Sequence, residues 1–224
     1  MAQFSVSTAF TEGWERFAAH WKFLIGITLL YLIVSGGLGG VSTHSVFSNN
    51  LPTIFGTHLL SLAATSVLSV FLVKLTLDIY DTKPVSWGTL FTGLDWTTFW
   101  RYVGATILVG LAVTIGFICL ILPGLYLALK YSQVRYLIVD KKMRVFEALS
   151  ESSRLTVGIK WKLIGFSFLV LLLVLVSLIP VGLGLLISLP WSLLAIVSVY
   201  RQLNQSLAES TIVTPPAKPS SLKS

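Results

Sequence analysis

The sequence predicts an all-α polytopic membrane protein, with six transmembrane helices as three hairpin repeats, each preceded by an interfacial amphipathic segment. Three observations predict it. Hydrophobic residues make up 54% of the 224 positions and charged residues 11%, against about 25% charged in a water-soluble domain. Residues 23–73, 102–129 and 163–200 contain no Asp, Glu, Lys or Arg. Immediately before each of these stretches stands a tryptophan followed by a cation: Trp21-Lys22, Trp100-Arg101 and Trp161-Lys162. So few charges cannot cover a globular surface, which makes lipid the solvent for much of the chain.

The stretches divide into spans by length and by turn chemistry. A spanning helix needs about 20 mainly apolar residues, so the first and third stretches each hold a hairpin. The turn-forming cluster STHSVFSNNLP (42–52) splits the first into spans at about 23–41 and 54–77. IPVGLG (179–184) splits the third into about 163–179 and 182–200. The middle stretch is shorter and is interrupted only by Pro123-Gly124, giving spans at about 102–122 and 125–139.

The segments ahead of the spans share an order of features. They are FSVSTAFTEGWERFAAHWKFLIG (4–26), PVSWGTLFTGLDWTTFWRYVGA (84–105) and MRVFEALSESSRLTVGIKWKLIGF (143–166). Each is moderately polar and closes on the Trp-cation pair. An indole favours the headgroup layer and a neighbouring cation snorkels toward water and phosphate, so the pair marks the depth at which a span begins. This predicts repeats over about 4–82, 83–142 and 143–204 within a single membrane domain, 1–204. The polar, proline-bearing tail 205–224 is expected to be disordered and cytoplasmic. If the three anchors share one side of the membrane, each repeat crosses an even number of times. Pro123-Gly124 is then a hairpin turn and 125–139 a span. On this map every one of the 16 Lys and Arg residues except Lys130 and Arg135 lies on the N-terminal side or at its boundary. The positive-inside bias then puts both termini in the cytoplasm, with the protein in a prokaryotic plasma membrane.

Two of the three leading segments have helical periodicity. Phe10, Trp14, Phe17 and Trp21 recur on one face, with Glu12, Arg16 and His20 elsewhere on the wheel. Arg144, Glu147, Glu151 and Arg154 share a face in the third segment, opposite Val145, Leu149, Ser152 and Ile159. Gly88 and Gly93 make the second less helical. Such helices lie in the headgroup plane. A net charge of +7 placed beside apolar runs points to anionic lipid rather than nucleic acid. Glu12 and Glu15 in the first segment argue against a cleaved signal peptide. The single cysteine, Cys119, excludes an intramolecular disulfide.

Lys130 and Arg135 are the candidate anion- or lipid-binding residues. Lys130 lies about 8 Å along the span from its outer mouth, at 1.5 Å per residue. The aliphatic residues of 125–139 favour insertion by about 0.5 kcal/mol each, while a central cation costs about 2.5–3.5 kcal/mol. The span therefore needs its neighbours or water. A cytoplasm-open cavity in which Lys130 holds an anionic group is one reading. In the other, Arg135 snorkels toward Asp140 and Lys130 pairs inside the bundle. The helical wheel separates the two cations by about 140°, which argues against one polar track.

Asp78 and Asp81 are spaced to share a metal, but Lys74 and Lys83 flank them and favour ion pairing. His20, His44 and His58 follow no metal-binding spacing, and no nucleophile elbow or phosphate-binding loop occurs. No metal, cofactor or catalytic residue is expected. Gly36-x-x-x-Gly40 offers a close helix contact, and Pro180 and Pro190 are expected to set bends.

The stretch LPGLYLALKYSQVRYLIVDKKMRVFEALSESSRLTVGIKWKLIGF (122–166) resembles a family of six-helix prokaryotic integral membrane proteins. That family is related to the membrane domain of glycerophosphodiester phosphodiesterases. The resemblance rests on Pro123-Gly124 opening a helix, a basic residue within it and Asp140 before a basic turn. Glu147-Ala148-Leu149-x-x-Ser152 and Gly158 ahead of Trp161 complete it. The catalytic barrel of the fused proteins is absent, so the resemblance implies a plasma-membrane protein without their activity. The expected function is a non-enzymatic module engaging anionic lipids or another membrane protein. A small transporter or channel with a site near Lys130 is the alternative, and a membrane-embedded lipid-modifying enzyme stands third.

Overall fold

A computed structural model describes residues 4–47, 51–83, 95–179 and 183–213. Among the described residues every regular element is a helix: α1 (Val6–Phe47), α2 (Leu51–Tyr80), α3 (Trp96–Cys119), α4 (Ile121–Lys130), α5 (Val134–Lys141), α6 (Val145–Leu155), α7 (Lys160–Leu178) and α8 (Leu185–Val213). Five are long and apolar enough to cross a membrane, namely the helical stretches Val6–Val41, Leu51–Tyr80, Trp96–Cys119, Lys160–Leu178 and Leu185–Ala208. The chain is a helical membrane protein. Many of its large apolar side chains are exposed, as lipid allows, with Ile118, Leu120, Ile121 and Leu122 wide open at the α3–α4 corner.

The long helices pair antiparallel. The Arg16 side chain of α1 bonds the Tyr80 carbonyl at the far end of α2. Helices α7 and α8 fold back where Gly184 meets Ser177. The return along α3 differs from expectation. The chain reverses at Leu120, which is extended (φ −167°, ψ 152°), and not at Pro123-Gly124. Both of those residues lie in the first turn of α4. Proline is tolerated there because the N–H it lacks has no intrahelical acceptor. Gly124 lets α4 press onto α3: a Cβ on Gly116 would stand 2.8 Å from the Gly124 Cα, and one on Gly124 would strike the Phe117 ring. The expected continuous span over 125–139 is instead two short helices, α4 and α5, separated by a turn at residues 131–133. Together they retrace α3, because at the far end Arg101 Nη1 donates to the Lys142 carbonyl (2.7 Å) and Lys142 Nζ reaches Asp95 (2.6 Å).

The leading segments also differ in detail. The first is continuous with its span, and a non-helical His20 (φ −124°, ψ 21°) kinks α1 where segment meets span. Its buried stripe is Ala9, Gly13 and Phe17. Of the expected aromatic face only Phe17 is buried; Phe10 is half-buried, and Trp14 and Trp21 are exposed. Tertiary contact overrides amphipathicity here: the stripe packs on α8, where a Cβ on Gly13 would lie 3.0 Å from the Ala195 nitrogen. The third segment forms α6, which buries Ala148, Ser152 and Leu155 and leaves Glu147 and Arg154 exposed. Of its expected apolar face, Val145 and Leu149 are half-buried, and Ile159 is buried just beyond the helix. The second segment falls largely at 84–94, outside the described residues, as do Gly88, Gly93 and Pro180.

Three smaller expectations shift as well. Helix α1 runs on to Phe47, past the start of the break expected at 42–52. Gly36 and Gly40 meet nothing within 4 Å; the close helix contacts fall at Gly13 and Gly116 instead. Helix α8 continues through Pro190 and past Gln205 to Val213, so helical order reaches into the segment expected to be disordered; 214–224 lie outside the described residues.

Two buried clusters hold the bundle. Phe17, Leu24, Ile27, Leu72, Leu75, Ile79 and Leu194 join α1, α2 and α8. Val134, Tyr136, Leu137, Leu155, Tyr200 and Leu203 belong to the second, which joins α5, α6 and α8 and takes in side chains of the other five helices. Lipid is as apolar as these side chains, so close packing and buried polar bonds must supply much of the specificity.

Candidate functional site

Polar groups gather in two places, and they differ in how fully they are satisfied. The first is where the N-terminal segment meets the C-terminal half of α8, with Ser5 N–H donating to Gln202 Oε1 (2.8 Å). There Arg201 of α8 donates from Nη1 and Nη2 to both oxygens of Asp140 on α5 (2.7 and 2.8 Å) and from Nη2 to Asp81 after α2 (2.7 Å). The fork geometry of a guanidinium suits such bidentate pairing. Tyr200 adds an O–H donor to Asp140 (2.7 Å). Lys83 joins from outside, 3.1 Å from Asp81 and 3.7 Å from Asp78. The hydrogen bond to Asp81, with the charges of Asp81 and Asp78, holds the Lys83 ammonium above the usual lysine pKa despite some desolvation. Beside this network Glu12 accepts from Tyr80 and from Ser198 (2.6 Å each), and Arg16 stacks 3.8 Å from the Tyr80 ring centre. Further out, Asp95 is held below the usual carboxylate range by its hydrogen bond to Lys142 and by that charge.

The ion pairing expected for Asp78 and Asp81 is present through Lys83. Arg201 was not anticipated as the cation at the centre. A signal for it lies in the sequence. Asp81, Asp140 and Arg201 are each the first or second charged residue after an apolar stretch, and the residues two, four and six positions before each are buried: Leu75, Leu77 and Ile79; Val134, Tyr136 and Ile138; Ala195, Val197 and Val199. A second signal precedes the spans, where Ala9-Phe10-Thr11-Glu12-Gly13 parallels Ala148-Leu149-Ser150-Glu151-Ser152.

The second gathering surrounds Arg135 at the start of α5. Three cavities of about 250, 250 and 290 Å³ meet its side chain. One is lined by Thr28, Tyr31, Ser69, Tyr102 and Ser192, among others, and is walled by α1, α2, α3, α5 and α8. The next lies between the α4–α5 break and α7, with Ser132, Gln133 and Ser167. The last lies between α3 and α4, with Thr106 and Ser132. Arg135 has no hydrogen-bond or ion-pair partner among the described residues. Of the six buried side-chain polar atoms without partners among the described residues, four belong to residues that line these cavities: Thr28 Oγ1, Tyr102 O–H, Thr106 Oγ1 and Gln133 Oε1; the other two are Ser188 Oγ and Arg201 Nε. Tyr102 is only 1% exposed. A buried polar group ordinarily finds a partner, so four orphans around one cation mark a place where water or a polar ligand belongs.

The break at 131–133 is what presents this cation. Ser132 Oγ turns back to the Leu129 carbonyl (2.9 Å), and Gln133 Nε2 bonds Ser132 Oγ (3.1 Å). Helix α5 then begins at Val134, and its first backbone N–H groups have no intrahelical acceptors. Lys130, the partner candidate from the sequence, is elsewhere. It lines none of these cavities, its Nζ stands 5.2 Å from the Tyr131 ring centre, and its carbonyl accepts from Ser152 Oγ (2.8 Å). The two cations therefore stand on different helices, Arg135 beside the cavities and Lys130 beside the Tyr131 ring. Arg135 does not reach Asp140, whose oxygens are held by Arg201 and Tyr200.

The anchor tryptophans Trp21, Trp100 and Trp161 are all exposed; Lys22 and Lys162 are exposed beside them and Arg101 is half-buried. Among the described residues no three His, Cys, Asp or Glu side chains are grouped to hold a metal. No protein family, curated protein or solved structure matches the chain.

Proposed function

We propose that the chain is a membrane module of six crossings in three repeats that binds a phosphate-type anion, free or as a lipid headgroup, at Arg135. The observation that carries this is a cation without a partner in a cavity cluster ringed by orphaned hydroxyl and amide groups. A guanidinium recognises phosphate oxygens bidentately, and the Tyr102 and Thr106 hydroxyls supply further donors. The cavities are smaller than pockets for drug-sized ligands, about 300–1,000 Å³, which favours a single headgroup or small ion.

Several features support the crossing map. The α4–α5 pair retraces α3, and the N-terminal segment meets the C-terminal half of α8 close to where Asp81, Asp140 and Arg201 gather. These three residues occupy equivalent places at the ends of the three returning segments. Both chain ends then lie on the basic, cytoplasmic side of a prokaryotic plasma membrane. The resemblance to the six-helix prokaryotic family is in keeping with this map. No catalytic role is assigned: Asp78 and Asp81 are committed to Lys83 and Arg201 and line none of the three cavities.

A second reading is solute transport, favoured because cavities flank Arg135 on several sides. Thermal unfolding of the purified full chain, titrated separately with inorganic phosphate and with short-chain phosphatidylglycerol, tests the proposal. One or both should raise the midpoint for the native chain and not for Arg135→Gln. A rise with phosphate alone marks a soluble anion, and a rise with lipid alone marks a headgroup. No rise with either, or an equal rise in the variant, contradicts the site. Phosphate flux in proteoliposomes that Arg135→Gln abolishes would favour transport.

A further inference from the structure

The cavity walled by α1, α2, α3, α5 and α8 restricts what Arg135 can hold there, because the hydroxyls in its lining are of two chemical kinds. Thr28 and Tyr102 are 2% and 1% exposed, and neither Thr28 Oγ1 nor the Tyr102 hydroxyl has a partner. Each keeps its proton and can donate or accept. Ser69 and Ser192 line the same cavity and differ. Ser69 Oγ donates its single proton to the Ser66 carbonyl (3.0 Å), and Ser192 Oγ donates to the Leu189 carbonyl (2.8 Å). Only lone pairs remain on these two oxygens, so toward a ligand they accept. Arg135 is the reverse, since a guanidinium donates and never accepts. Among the described residues no acidic side chain lines the cavity.

A ligand that matches this lining brings acceptor oxygens to Arg135, Thr28 and Tyr102, and donors to Ser69 and Ser192. Phosphate oxygens supply the first. The second needs O–H or N–H groups on the same molecule. An ammonium donates, but it would share the cavity with the Arg135 cation and find no carboxylate to balance it. A neutral hydroxyl avoids that repulsion, and a plain alkyl group leaves the serine lone pairs unmatched. We infer that this cavity takes the phosphate ester of a small polyol, with the phosphate on Arg135, Thr28 and Tyr102 and the hydroxyls of the ester group donating to Ser69 and Ser192. The inference rests on anion binding at Arg135 and adds the class of the ligand and two residues that select it. The ester is a free solute or the headgroup of a phospholipid; its hydroxyl chemistry is the same in both.

Isothermal titration of the purified full chain in neutral detergent tests it with three probes that differ at one group: hydroxyethyl phosphate, ethyl phosphate and aminoethyl phosphate. The hydroxyl ester should bind about tenfold more tightly than either of the others, the scale of one or two hydrogen bonds. Short-chain phosphatidylglycerol against short-chain phosphatidylethanol puts the same question to a lipid. A preference among the soluble esters marks a solute, and one between the lipids marks a headgroup. If the ethyl compounds bind as well as their hydroxyl counterparts in both series, or aminoethyl phosphate binds as well as hydroxyethyl phosphate, the polyol class falls. The anion site still stands if Arg135→Gln abolishes that binding; no binding of any probe overturns both. The double variant Ser69→Ala, Ser192→Ala should erase the preference for the hydroxyl and leave ethyl phosphate bound as before. Ser167→Ala, in the neighbouring cavity beside α7, should keep the preference. Its loss with Ser167→Ala and not with the double variant overturns the assignment. Should the double variant not fold, the single variants decide: a lowered preference in either supports the assignment, and an unchanged preference in both overturns it.

Discussion

Arg201 and Arg135 are both arginines on helices that return through the bundle, and their surroundings are opposite. Arg201 spends its terminal nitrogens on two carboxylates. Arg135 faces cavities and has no partner among the described residues. The first arrangement is a strut: it joins the ends of segments far apart in the chain and leaves little for a ligand to do. The second has the opposite economy. The Arg135 side chain is exposed beside its cavities, and no carboxylate among the described residues compensates it.

The largest effect expected from this contrast is on stability. Arg201→Met leaves Asp81 and Asp140 without their central cation and should cost about 3 kcal/mol, the scale for breaking a buried pair. Arg135→Met removes a charge with nothing to lose and should be neutral or stabilising. Unfolding midpoints in one neutral detergent compare the two directly; a larger loss for Arg135→Met would reverse their roles. Next comes packing. Gly124→Leu drives a side chain into Phe117 and Gly116, with an expected cost of about 1–3 kcal/mol, read from the same unfolding curves. Glu12→Gln weakens the bonds to Tyr80 and Ser198 and should cost about 1 kcal/mol, with little effect on anything bound at Arg135.

The smallest effect is the exposed tie between Asp95 and Lys142. The folded state lowers the Asp95 pKa, so this contribution is present above the unfolded carboxylate value and is lost as pH falls through the folded one. Lys83 has the opposite sign. Its pKa is raised on folding, so its contribution holds below the usual lysine value and is lost as pH rises through the folded one. Asp95→Asn should flatten the acid limb of a stability–pH curve, and Lys83→Met the alkaline limb, each slightly because both groups are solvent-screened.

Much of the architecture was legible because lipid imposes a coarse rule: charge-free stretches of sufficient length, bounded by indole and cation. That rule marks the long helices well. It fails at α4–α5, where Lys130, Gln133 and Arg135 interrupt the apolar pattern and the helix breaks instead of continuing. It fails again in the leading segments. Periodicity pointed to the large aromatics, while burial follows Ala9, Gly13 and Ala148, since close helix approach selects small residues that hydropathy scarcely weighs. Arg135 was legible as a charge out of place. That it stands among orphaned hydroxyls from Thr28, Tyr102 and Thr106 was not, because those residues come from different helices. Arg201 was passed over because its position at the end of an apolar stretch looked like an ordinary boundary.

The most direct measurement of the central claim is the native mass spectrum of the purified chain beside its Arg135→Gln variant, each released gently from the same membrane extract. The account predicts that the native chain carries a phosphate-bearing adduct that the variant lacks, with every other adduct common to both. Identical adducts on the two chains would contradict it.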